Sequence, residues 1–295
     1  MKHAMIFILP ALVFIASCGD TSVTRTLPNV TGKTGDVLVV MNKQMWDGSP
    51  GQAIMTHVSP MLISLPQAEP SFSIMPVNPE GFRDIYVAHR NVIQAIIDPG
   101  KAKAEMTVER NKWAETQYVV TLTAPDTASL AQCIRENGEA IRRGIDDAER
   151  SRLTDWLTNS AGRDRSVLTA GDTQWELVMP VGWKPDFNRE GIMMISAETP
   201  ATTQSLMVSV TDRTTSRLGC IELADLTQKR MSDEVKGPDG GSFMVIEKKV
   251  PVSCRSFRRN ETDFIEMRGL WTLEGGFMGG PFISYAFIDS ASSRA

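Results

Sequence analysis

From Pro125-Asp126 onward, a single apolar stripe governs what the chain can become. Leu130, Cys133, Ile134, Ile141, Ile145 and Ala148 recur at helical spacing, so one side of a long helix needs a hydrophobic layer to cover it. Glu139–Arg143 and Asp146–Arg150 stand four apart on the opposite side, as a solvated face does. Strand-like runs flank this helix. Before it lie Asp36 to Met41, Phe72 to Val77, Asn91 to Asp98, and shorter pieces near Ala104–Arg110 and Gln117–Leu122. Ser49-Pro50 and Asn78-Pro79-Glu80 each offer a cap and a first-turn proline, which predicts one helix through roughly Leu62, with Pro60 bending or ending it, and another to about Arg90.

After the long helix the pattern changes. Trp175–Pro180, Ile192–Ala197, Leu206–Thr211, Phe243–Val250, Arg255–Arg259, Phe264–Thr272 and Phe282–Asp289 read as strands, with one helix near Ile221–Val235. The fold class expected is α+β: two domains of mainly antiparallel sheet with packed helices. The second half, with its Pro180-x-Gly182-Trp183 start, looks like the compact sheet-and-helix modules of the Mog1/PsbP type. A fold analogy of this kind carries no function. Residues 159–172 have loop composition and are read as a linker between domains at 36–158 and 173–295. Residues 18–35 are small and polar, and read as a flexible tether.

Residues 1–17 read as an address. Met1-Lys2-His3 gives a positive start, and Ala4 to Ser17 is apolar apart from a proline at position 10. A helix of that length covers roughly 21 Å, short of the ~30 Å hydrocarbon core, so the segment is a signal peptide and not a span. It ends in Ile15-Ala16-Ser17-Cys18, which resembles the bacterial lipobox. That resemblance implies cleavage before Cys18, a diacylglycerol on its sulfur and an acyl chain on its amino group. Two or more chains anchor firmly where one does not. Gly19, in place of an acidic residue, favours the outer membrane, and the lack of an acidic run favours its periplasmic face.

Beyond the membrane thiols tend to be oxidised. Cys133 lies on the helical stripe and reads as a small core residue. Cys220 and Cys254 share the second domain. A bridge between them and two free thiols are both open, because sequence does not supply the Cα separation. No CxxC occurs, which argues against a thioredoxin-like role.

Lys and Arg number 31 against 35 Asp and Glu, so no basic excess points to nucleic acid. No GxSxG, HExxH, P-loop or dinucleotide motif is present. Gly237 to Ser242 is glycine-rich but precedes a strand, so it reads as a hairpin turn and not a phosphate cradle. His57 and His89 fall in predicted helices without a third ligand, so no metal site and no cofactor is expected. Two residues are weak binding candidates. Arg90 could clamp an anion or a carboxylate, or cap helix carbonyls, and Trp271 on an alternating strand could be core or platform.

Several strings occur together: Val37 to Gly48, Leu65-Pro66-Gln67 with Glu69-Pro70, His89 to Ile93, Met179-Pro180 with Gly182-Trp183, Arg268 to Trp271, and Met278 to Phe282. In this order they resemble a Bacteroidetes lipoprotein family known as domain-of-unknown-function family 4837, over nearly the whole mature chain. The resemblance implies a lipoprotein fate and brings no activity, substrate or catalytic residue. The expected function is a non-enzymatic envelope module, held to the membrane by acyl groups and binding an envelope protein. A small-ligand binder between the two domains is the alternative. A carboxylate-dependent envelope hydrolase ranks behind both, since paired carboxylates are a spatial feature.

Overall fold

The computed structural model describes residues 26–63, 65–159, 163–170, 173–200, 202–211, 219–238, 241–259 and 261–289. The signal segment and Cys18 lie outside the described residues. Among the described residues no helix is long and apolar enough to cross a membrane.

The first half is built on a five-stranded sheet. Its strands are β1 (Asp36–Val40), β4 (Ser73–Val77), β5 (Asn91–Ile97), β6 (Glu105–Arg110) and β7 (Tyr118–Ala124), in the order β4-β1-β5-β7-β6. Helices α1 (Lys43–Asp47) and α2 (Ser49–Ala53) lie between β1 and β4, with the short pair β2 (Met61–Leu62) and β3 (Glu69–Pro70). This crossover carries the chain back to its starting end, so β4 runs parallel to β1. β5 pairs parallel with both β1 and β7, and only β6 is antiparallel. The molecule is mixed α+β as a whole, and this sheet is its one largely parallel member.

Parallel sheets are buried on both faces, and their strands read as unbroken apolar runs. DVLVV of β1 is such a run. Val37, Val39, Ile93, Val120 and Leu122 pack beneath α3 (Thr127–Asn159), whose predicted stripe is buried throughout. Leu38, Val40, Val92 and Val119 meet Met75, Val77, Phe82 and Trp113 on the other face. Asp126 caps α3, its Oδ1 accepting the Ser129 N–H at 2.8 Å. α2 continues into a π-helical turn, Ile54–Val58. There α3 comes so close that a Cβ on Gly138 would lie 2.5 Å from that of His57.

Three expectations need correction. The helix expected from Asn78 to Arg90 is two isolated 3-10 turns, Pro79–Gly81 and Asp84–Tyr86, because Asp84 adopts φ 54° and interrupts any helix. The flexible tether expected over 18–35 does not extend to its end. The Glu115 N–H bonds the Pro28 carbonyl, Thr31 bonds Ala88, and Arg90 bonds back to Thr31, so residues 28–35 form a strap on the first sheet. The linker expected over 159–172 contains a strand, β8 (Arg163–Ala170), paired antiparallel with β9 (Thr173–Pro180). Its polar sequence hid it: Leu168 is its one fully buried side chain among those described.

The β8–β9 hairpin packs on a three-stranded antiparallel sheet of β10 (Lys184–Arg189), β11 (Ile192–Glu198) and β12 (Thr203–Ser209). Leu168, Met193 and Ile195 lie at the centre of that core. The last sheet centres on β15 (Thr262–Glu274). β13 (Phe243–Ile246) and β14 (Ser253–Arg259) flank it on one side and β16 (Gly279–Phe287) on the other, all antiparallel. Helix α4 (Cys220–Glu234) covers one face, where Leu223 meets Ile265, Met267, Phe282 and Ala286.

Candidate functional site

Arg90 does clamp a carboxylate, and the carboxylate belongs to this chain. Its guanidinium lies 2.8 Å from Oε2 of Glu149 on α3, both side chains nearly buried. Arg152 bonds the other oxygen at 3.0 Å, and Asn91 and the Gly35 N–H bond that same oxygen at 2.7 and 3.2 Å. Arg90 also donates to the Gly32 carbonyl, and Arg152 to those of Thr116 and the Asn91 side chain. The carboxylate is fully engaged and ties strap, strand and helix together at the starting ends of the parallel strands. His89 lies beside it, its Nδ1 donating to the Asn91 carbonyl. Burial lowers its pKa, so the ring is neutral at neutral pH. Its Nε2 is buried under Gly32, which leaves no room for a Cβ.

A second carboxylate, Glu266, is held in a comparable way on the last sheet. Side chains alternate along a strand, so Ile265 and Met267 face α4 while Phe264, Glu266 and Arg268 face away from it. Arg255, directly across in register, grips Glu266 with two bonds of 2.9 Å; Arg268 adds one of 2.8 Å and the Tyr285 hydroxyl another. Burial pushes the carboxyl up, but the bonds from the two arginines prevail and lower it to about 2. Asp146 on α3 feels the charges of Arg150, Arg255 and Arg268, yet burial outweighs them and raises its pKa. Next to this row Phe257 stacks on Phe264 at 5.3 Å between ring centres, and Phe287 follows at 4.9 Å.

Along the same face a cleft of about 250 Å³ opens between the halves, lined by Leu62 and Leu65 from the first and by Arg268, Pro281, Phe282 and Ile283 from the second. A broader hollow lies beside Cys133 and the start of α3 and contains one carboxylate, that of Glu136. Neither therefore presents the carboxylate pair that glycosidic chemistry uses. Trp271 stands apart from the cleft, half-buried and packed over Gly280, where a Cβ would lie 3.1 Å from its ring nitrogen. Cys220 and Cys254, left open by the sequence, are bonded, with Cα atoms 5.9 Å apart. Cys133 is free and buried. Among the described residues no three His, Cys, Asp or Glu side chains converge as a metal site.

Each half matches a domain of unknown function. Residues 172–295 match the family model described as domain of unknown function DUF4837, and residues 30–158 match a different one, DUF8532. The likeness to family 4837, read across the mature chain, thus holds for the second half alone. The strings from Val37 to Ile93 fall within the DUF8532 match. No curated protein and no solved structure matches the chain.

Sequence reasoning missed Glu149, Arg152, Asn91 and Glu266. Glu149 and Arg152 are one helical turn apart, but Asn91 lies 58 and 61 positions from them and meets them only through the fold. Glu266 carried a readable signal, because Arg255 and Glu266 are symmetric about positions 260 and 261 and so face each other across a tight hairpin.

Proposed function

We propose that this chain is a lipid-anchored lipoprotein of the bacterial cell envelope, acting as a non-enzymatic binding or scaffolding module on the periplasmic side of the outer membrane. The observation that carries the reading is the apolar segment ending in Ile15-Ala16-Ser17-Cys18. A body without a membrane-crossing helix among its described residues needs another means of staying at a bilayer, and acyl chains on Cys18 supply it. The exposed Ile283, Tyr285 and Phe287 of β16 give such a module a surface to present. Mass spectrometry of the protein purified from membranes tests the anchor. The expected result is a mature N-terminus at Cys18 carrying diacylglycerol and an acyl group, with Cys18→Ser releasing the protein from the membrane fraction. An unmodified Cys18 overturns the reading.

One observation favours a second reading, a small-ligand binder between the halves: the cleft lined by Leu62, Leu65 and Phe282 has a largely apolar wall with one cation, Arg268. It predicts an apolar ligand with one anionic group. A thermal-shift screen of envelope metabolites, repeated on Leu65→Asp, tests it; a panel that shifts both proteins equally rules it out.

A further inference from the structure

β16 is an edge strand with a single proline, Pro281, and none of the charges that usually protect such strands. Its nine residues, GGPFISYAF, include no charge. The strand on the opposite side, β14, carries Arg255, Arg258 and Arg259. No described strand pairs with the outer side of β16. Ile283, Tyr285 and Phe287 are 52%, 50% and 39% exposed.

The direction of the unpaired groups follows from register. The Leu270 carbonyl accepts from Glu247 N at 2.8 Å, so Leu270 bonds toward β13 and away from β16. Pro281, directly opposite Leu270, therefore turns its main chain outward, as do Ile283, Tyr285 and Phe287 at alternate positions. Pro281 has no N–H to leave unpaired, which suits an edge. Three donors and the matching carbonyls have no partner among the described strands, and they call for an antiparallel strand.

We infer that the strand is β16 of a second copy of this chain, paired about a two-fold axis at Ser284, with Phe287 of each copy entering the cleft of the other. Centring the pair on Ser284 keeps each face continuous. Ile283 then meets the second copy's Tyr285, Phe282 meets its Ala286, and Pro281 meets its Phe287. Every outward N–H finds a carbonyl. Pro281 lines the cleft with Leu62 and Leu65, so the incoming Phe287 ring arrives at an apolar cavity. A cavity of roughly 150 Å³ suffices for a benzene ring, and this one holds about 250 Å³. The contact is isologous and closes on itself, as stable homodimers require. It goes beyond the lipoprotein reading and does not depend on the anchor.

Sedimentation velocity of the full chain in detergent solution, across a concentration series, tests the pairing. The expected result is a monomer–dimer equilibrium. Tyr285→Pro removes one outward donor from each copy and spares the main-chain ladder to β15, although it also takes the Tyr285 hydroxyl from Glu266, and should weaken the dimer at least roughly tenfold. Phe287→Ala should weaken it comparably by emptying the cleft. Circular dichroism and thermal melting of both variants confirm the fold. Ile283→Cys and Tyr285→Cys proteins, mixed and oxidised, should cross-link to each other, while neither should cross-link alone. A chain that stays monomeric, or a dimer that Tyr285→Pro and Phe287→Ala leave equally tight, overturns the inference.

Discussion

Glu149 and Glu266 are each gripped by two arginines, yet they sit in different kinds of surroundings. Glu149 draws its partners from the strap, from the start of β5 and from its own helix, across as many as 114 positions of sequence. It lies against a sheet covered on both faces. Glu266, itself buried, draws its partners from its own and neighbouring strands, Arg255 being 11 positions away, and its two arginines are partly exposed. The first carboxylate closes a tertiary structure; the second stiffens a local surface. Removing an acceptor from buried arginines strands their charge, whereas half-exposed arginines can turn to water.

The sharpest way to break this comparison is Glu149→Ala. Arg90 and Arg152, with side chains 12% and 8% exposed, would lose their counter-charge and keep only neutral acceptors, so urea unfolding should show a loss of about 3–5 kcal/mol. Hydrogen exchange at the Thr31 and Arg90 amides should quicken as the strap loosens. A loss below about 1 kcal/mol would remove the distinction. Next in size is the Cys220–Cys254 bridge, which closes 34 positions of the second half. Cys220→Ala/Cys254→Ala should cost about 3–4 kcal/mol on the chain-entropy account, measured as a shift confined to probes in the second half, such as Trp271.

Glu266→Gln should cost less, about 1–3 kcal/mol, because Arg255 and Arg268 are 39% and 32% exposed. Its signature is in pH. The folded carboxyl is lowered from 4.5 to about 2, so the unfolded chain takes up the proton first. The stabilisation is complete above the unfolded value and is lost as pH falls from 4.5 through about 2. Unfolding midpoints across that range should fall more steeply for the parent than for Glu266→Gln. The smallest effect expected is from Asp126→Ala, which removes the α3 cap and should lower the thermal midpoint by no more than a few degrees.

The same contrast explains what could be read from sequence. The α3 stripe and the apolar run of β1 were legible because burial there follows a period set by one element's own geometry. Pro79 misled, since a proline favours a helix start but cannot continue one through Asp84 at positive φ. β8 was hidden because a hairpin exposed over much of its length needs few apolar residues. Arg90 was singled out as a binding candidate for an anion or carboxylate; the carboxylate it holds is that of Glu149, 59 positions away with nothing local to mark it. Charge pairs of that kind belong to topology, which no spacing rule encodes.

The strap also limits how far the body can travel. With acyl chains on Cys18, as proposed, about ten residues separate the lipid from Pro28, which is fastened to the fold through Glu115. Fully drawn out, they reach no more than ~35 Å. The leash is short: whatever engages this protein must come down to within a few nanometres of the bilayer to do so.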